Sequence, residues 1–526
     1  MKQIMHIFAK DARRFWPEIL ISLAVTAVLV WIGVYLWSGN YDVPGRMLNY
    51  LASLLLLLVS VSWWILITRV IQAERLVGDT QFWITRPYTW ESLLAAKALF
   101  LMVFLWLPFF IAQCLLLFEA GFHPLSYLPG LIDNLVLITG ILVLPLAAVA
   151  TVTSSFIRMT LTLLGIYLGS IVFVVFVSFL SADHHVSVDS QIGVALGFVL
   201  AVLAFSAAIF LQYALRRVWI SRVVLIALPV LLCAVAVLAY RYDQAQMDRT
   251  YPIAQGDEPI QVSFDPDPHR YGSSSFQVRS NPRIPISIHL AESGVAEGYV
   301  VIPDAVRADF TTSDGSHWDS GWEPIAGLRF LPGESNFNAT LSMPLKVYYK
   351  FQSIPLCVQL ALATTQAQAT KMTSIPMPNH RFSVPDFGVC LPRTGWTPFF
   401  GQVTGLDCVS ALRQPPLTYV TTRWASALCS SSPGEPDSGV LGAAWVGSLD
   451  REPAQLGISP VVDAPVNFSN SEIAESGRGG IRFLCPGTAI SFTQYSTVRR
   501  AQTSVSIQSF ILPQMTILGD RITIAQ

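Results

Sequence analysis

Charge is what this sequence has least of. Only 13% of its 526 residues are Asp, Glu, Lys or Arg, about half the share usual in a soluble domain. A net charge of −1 gives no basic surface for nucleic acid. No lysine follows a glycine, which excludes a phosphate-binding P-loop on this chain. Neither HExxH nor GxSxG occurs, so two common hydrolytic constellations are missing. Proline is thin in one half: 8 of 33 precede residue 241 and 25 follow it.

Apolar residues make up 52% of the chain and crowd into its first 240 positions. They form runs of roughly 20, the length that crosses ~30 Å of hydrocarbon. Seven candidate spans stand at 19–37, 48–70, 98–118, 131–153, 160–180, 191–214 and 223–240. The fold class expected is therefore a helical membrane bundle followed by a β-rich region, with the seam near Tyr240 to Thr250. Ionisable residues within the spans are nearly absent, and Asp133 at one end of the fourth reads as interfacial. Ion-coupled carriers hold their ion at depth with such groups, so any transport here draws its energy from elsewhere.

Lys2, Lys10, Arg13 and Arg14 precede the first span, and Arg69, Arg75, Arg86 and Lys97 flank or fill the second loop. Arg158, Arg216, Arg217 and Arg222 lie in the fourth and sixth loops, whereas the alternate loops carry only Arg46. Basic residues stay cytoplasmic, which places the N-terminus inside and residues 250–526 outside. The charged lead and span-length run that follows fit a signal anchor better than a cleaved signal peptide. Residues 2–16 also fit an amphipathic helix in the bilayer interface, with Ile4, Met5, Ile7, Phe8, Phe15 and Trp16 on one face.

The loop after the second span is rich in rings. "GDTQFWITRPYTW" holds Phe82, Trp83, Tyr88 and Trp90 beside Arg86 and Pro87. Gly78 suits the end of the preceding helix, Pro87 disfavours helix at Arg86, and Thr89 can cap a new helix with Glu91 in its first turn. An aromatic belt accounts for Trp90. A shaped elbow with Trp and Arg is better suited to docking a protein.

These features resemble a permease subunit of the type-2 ABC exporter family. Its members begin with an interfacial elbow helix and have six spans. Their second-span loop runs acid, glycine, a proline-containing turn, then a helix with a basic residue. Here the corresponding positions are Glu74, Gly78, "TRP" at 85–87 and Lys97, and the match covers residues 1–215 of 526. The resemblance implies that residues 74–97 couple to a separate cytoplasmic ATPase subunit. Glu74, Gly78, Phe82, Trp83, Arg86, Pro87, Trp90 and Lys97 would form the partner-binding site. It also implies a permease homo- or heterodimer in a bacterial inner membrane, with ATP and Mg on the partner and no cofactor or catalytic residue on this chain. The seventh span and the large external region depart from the family pattern. The alternative is a membrane-anchored β-domain for binding or cell-surface recognition, without transport.

Residues 250–526 read as β, two sandwich-like modules with a boundary near 370–385. "RIPISIHL" alternates with period two, "VRADFTTSDGSHW" turns at Asp314-Gly315, and "LKVYYKFQ" and "TSVSIQSFIL" read as further strands. His184 and His185 share a short loop with Asp183 and Asp189, but adjacent histidines point apart, so a solvated loop is expected and no metal site. Of the seven cysteines, Cys114 and Cys233 lie in spans, and five lie outside. Cys390 with Cys408 suits a stapled hairpin, Cys429 pairs with Cys485 by default, and Cys357 reads as a buried core thiol.

A reporter active only outside the cytoplasm is expected to work after residue 250 and to stay silent after residue 218. The reverse pattern rejects this topology.

Overall fold

A computed structural model describes residues 2–37, 45–73, 89–180, 191–253, 261–265, 274–277, 283–296, 298–325, 336–378, 380–394, 403–411, 416–423, 441–446, 460–464, 466, 489–512, 514–518 and 521–525. The first half is helical: α1 (Lys2–Arg14), α2 (Trp16–Trp37), α3 (Gly45–Gln72), α4 (Trp90–Leu101), α5 (Leu107–Glu119), α6 (Leu128–Ile138), α7 (Leu144–Val152), α8 (Phe156–Leu180), α9 (Gln191–Phe210) and α10 (Val218–Thr250). Six helices among the described residues are long and apolar enough to cross a membrane: Trp16–Val34, Tyr50–Gln72, Trp90–Glu119, Pro124–Val152, Gly193–Leu215 and Val218–Ala239. Helix α8 stands between the fourth and fifth of these, and its described apolar part is Phe156–Gly169.

Two of these long helices are continuous only through π turns. Met102–Trp106 joins α4 to α5, and Thr139–Val143 joins α6 to α7. In each, a leucine N–H bonds five residues back, Leu107 to Met102 O and Leu144 to Thr139 O. Each leucine precedes a proline, Pro108 or Pro145. Proline has no N–H and collides with the carbonyl four residues back. The widened π turn accommodates that carbonyl without leaving the backbone unbonded in an apolar setting.

The described strands of the second half lie in antiparallel sheets. The largest is built on one ribbon, Leu356–Pro376 against Ala489–Phe510, of 21 and 22 residues. Tyr299–Thr312 flanks it on one side and Thr418–Arg423 on the other. One end of the ribbon faces the three-stranded sheet Gln261–Phe264, Arg283–Ser293 and Asn336–Pro344. Ile284, Ile286, Ile288 and Leu290 there share a dry core with Val306, Phe310, Leu356, Val358 and Leu360. The other end reaches a second core, where Ile490 and Phe492 pack with Met377, Val384 and Phe387. The ribbon thus runs unbroken from one core to the other.

Four local readings of the sequence meet the structure differently. The Asp314-Gly315 turn forms as expected: Asp314 accepts the Ser316 N–H at 3.0 Å, and Gly315 takes a φ of 83°. "LKVYYKF", by contrast, is a helix, α11 (Leu345–Phe351), not a strand. Pro344 ends the strand before it, and Leu345, Tyr348 and Phe351 recur at helical spacing on the core side. Cys357 is exposed rather than buried. The start of the strand alternates, so Leu356, Val358 and Leu360 point inward and Cys357 outward. Cys390 and Cys408 face each other across a hairpin and are disulfide-bonded, with Cα atoms 4.0 Å apart. Cys429, Cys485 and the His184-His185 loop lie outside the described residues.

The period of two has one further consequence. Glu292 continues the inward column of Ile284 to Leu290, so its carboxyl is buried at the rim of the core. One of its oxygens has no hydrogen-bond partner, and burial pushes its pKa up from 4.5 to about 7. The native protein therefore holds a proton that the unfolded chain releases between those values. Stability falls as pH rises through that window and levels off above it. Glu292→Gln removes the titration. It is expected to stabilise the protein by ~2 kcal/mol at pH 8 and by little at pH 5, read from thermal unfolding in detergent. An equal effect at both pH values overturns this account.

Candidate coupling face of the helix bundle

The ends of the bundle differ. At one end, the turn between α5 and α6 and the C-terminus of α10 meet the β region. At the other end lie α1 and the junctions α3–α4, α7–α8 and α9–α10. Lys2, Lys10, Arg13, Arg14, Arg69, Arg158, Arg216, Arg217 and Arg222 all fall there. Residues 74–88 leave from this end. Glu74, Gly78, Phe82, Trp83, Arg86 and Pro87 are therefore attached to it but lie outside the described residues.

Helix α4 starts where the sequence indicates. The Thr89 hydroxyl accepts the Ser92 N–H at 3.3 Å, and Glu91 sits in the first turn. The Trp90 ring meets Phe210 edge-on, with centroids 5.7 Å apart. It packs on the cluster of Ile7, Leu93, Ala96 and Tyr213. Trp90 thus anchors the exit of the 74–88 segment to both α1 and the end of α9.

Lys97 is buried two turns further on. Its Nζ lies 2.6 Å from Asp11 Oδ2, with side chains 3% and 1% exposed. Around this pair, Phe8 of α1 stacks on Phe104 at 5.7 Å and meets Phe100 at its edge. Helix α1 is therefore held to α4 by a buried ion pair, and its Phe8 ring packs on the rings that follow Lys97. Asp11 is a residue that the sequence reading missed. It falls four after Ile7 and four before Phe15, on the apolar face of α1, where a carboxylate has no place without a partner. Met5 and Trp16, expected on the same apolar face, are exposed and do not pack into the bundle core. Ile7, Asp11 and Phe15 form the stripe that meets the bundle.

Other polar contacts fasten the same end. Arg69 pairs with Glu18, and the Arg14 and Arg69 guanidinium groups lie over the Phe15 ring. Gln72 Nε2 donates to Thr153 Oγ1 at 3.0 Å. Arg222 donates to the Val152 carbonyl at 3.1 Å, closing the open end of α7. Among the described residues, no group of three or more His, Cys, Asp or Glu could hold a metal ion. No family model, curated protein or solved structure matches the chain.

Lys97→Met leaves the Asp11 carboxylate buried and alone, which typically costs ~3–5 kcal/mol. Adding Asp11→Leu is expected to recover most of that loss, because an apolar pair removes the stranded charge. Thermal unfolding of the detergent-solubilised variants reads this. Equal melting of the single and double variants rejects a supporting role for the pair.

Proposed function

We propose that this chain is the membrane-spanning permease subunit of an ATP-driven exporter of the type-2 ABC kind. Seven helical passes cross a bacterial inner membrane, α8 among them, with the N-terminus in the cytoplasm. The 74–97 segment rests on a separate ATPase subunit that binds ATP and Mg. A second permease copy or a relative completes the assembly. The β region, read as two sandwich-like modules, lies outside and receives or gates the substrate.

The observation that carries this reading is the Lys97–Asp11 lock. It fixes an interfacial helix to the first turns of α4, immediately after residues 74–88 and away from the β region. A joint of that kind transmits a push from the segment into the bundle. An anchor has no use for it, since one span holds a domain to a membrane. The basic residues gathered at this end support a cytoplasmic face.

Affinity purification of the full-length chain from its own membrane is expected to bring down a P-loop polypeptide and ATP hydrolysis. Trp83→Ala with Arg86→Ala is expected to lose both while the protein still inserts. Truncating interface anchors typically costs ~2 kcal/mol or more of binding. An eluate without ATPase from the wild type favours the anchored β-domain. Full ATPase recovery with the double variant makes the elbow an aromatic belt.

A further inference from the structure

The prolines of the helical half follow a pattern that the proposed function leaves unused. Pro17, Pro44, Pro87, Pro124 and Pro129 stand at helix starts or between helices. Pro108, Pro145 and Pro229 fall in the interior of a pass, and each follows a leucine, as Pro129 near the start of its pass also does. Their three passes, α4–α5, α6–α7 and α10, are the ones that reach the β region among the described residues. Helices α2, α3, α8 and α9 carry no proline in their interiors.

The two proline-linked π turns and Pro229 also lie in one layer. Leu105 and Val143, from the two proline-linked π turns, belong to a single packed cluster. A side chain at Gly140 would run into the Phe198 ring of α9. Next to it, a Cβ at Gly197 would meet Leu232 of α10 at 3.6 Å, less than a turn from Pro229. Each proline lacks an N–H and displaces the carbonyl four residues back. The helices are weakest against bending at these points.

Both sides of this layer are cross-linked. On the β side, Leu117, Ala120 and Leu131 pack on Ala411 and Val461. Gly121, at φ 88°, lets the turn between α5 and α6 approach Val389. Tyr251, just past α10, donates to Asp304 at 2.8 Å, and Trp322 donates to Asp248 at 3.3 Å. On the other side stand the Lys97–Asp11, Gln72–Thr153 and Arg222–Val152 contacts. One turn below the Leu117 and Leu131 contact, Gln113 and Asn134 are buried with amide N–H groups that have no partner.

We propose that the proline layer is a swivel, on which the β region, α5, α6 and the outer half of α10 move as one body against the rest of the bundle. The inference stands whether or not an ATPase binds residues 74–97.

Pulsed electron paramagnetic resonance on the full-length protein in lipid nanodiscs tests it. Nitroxides carried on a noncanonical amino acid replace Leu125 and Ile157, exposed residues on opposite sides of the layer. A control pair at Met5 and Ile157 lies wholly on one side. The 125–157 distance is expected to be at least twice as broad as the control, or bimodal. Pro108→Ala, Pro145→Ala and Pro229→Ala, made singly and together, are expected to narrow it and leave the control unchanged. A wild-type 125–157 distribution as narrow as the control overturns the swivel, and that comparison needs no variant to fold. A broad distribution that every folded alanine variant leaves unchanged overturns it equally.

Discussion

Hydrocarbon offers no hydrogen-bond partner, and the helical half is organised around that constraint. Many of its polar side chains bond the carbonyl three or four residues back, as Thr26, Thr68 and Thr139 do, or they gather at the ends, with Gln113 and Asn134 as buried exceptions. The ends then do the fastening that apolar contacts cannot do selectively, because lipid tails compete for any leucine surface. Arg222 on the Val152 carbonyl and Gln72 on Thr153 are directional contacts between helices that would otherwise slide. Lys97 and Asp11 extend the same logic inward, and their pairing makes both charges tolerable.

The β region solves a different problem. Two long strands run through two apolar cores, and each core is completed by its own smaller sheet. The Cys390–Cys408 bridge lies in the second core, beside the strand residues Val389 and Val409 that face the helical half. The platform that meets the α5–α6 turn is thus stapled from behind. That staple ties two neighbouring strands whose register is already set by the ladder.

How much of this could be read beforehand depended on periodicity. The amphipathic α1, the Thr89 cap, the alternation of "RIPISIHL" and the hairpin joining Cys390 to Cys408 follow from spacing alone. Asp11 was hidden because charge on an interfacial helix is habitually assigned to its wet face. "LKVYYKF" misled because Leu345, Val347 and Tyr349 alternate as well as Leu345, Tyr348 and Phe351 step. Position before a core, not composition, decided between them. Cys357 was misjudged from apolar neighbours, where parity against Leu356 was the better guide. The Leu-Pro pairs at 107–108, 144–145 and 228–229 were visible in the sequence, but their common layer emerges only when helices are laid side by side.

Helix α10 runs from Val218 to Thr250 without a linker before the β region takes over at Tyr251 and Ile253. A helix turns about 100° and rises about 1.5 Å per residue. Adding or removing one residue between 240 and 250 would therefore rotate the β region through more than a quarter circle about that axis. The α5–α6 turn would then face a different side of it. Such a junction has a phase as well as a length. Natural variation there should be confined to steps near whole turns, about seven or eleven residues, and a chimera that joins this bundle to another β region must match both.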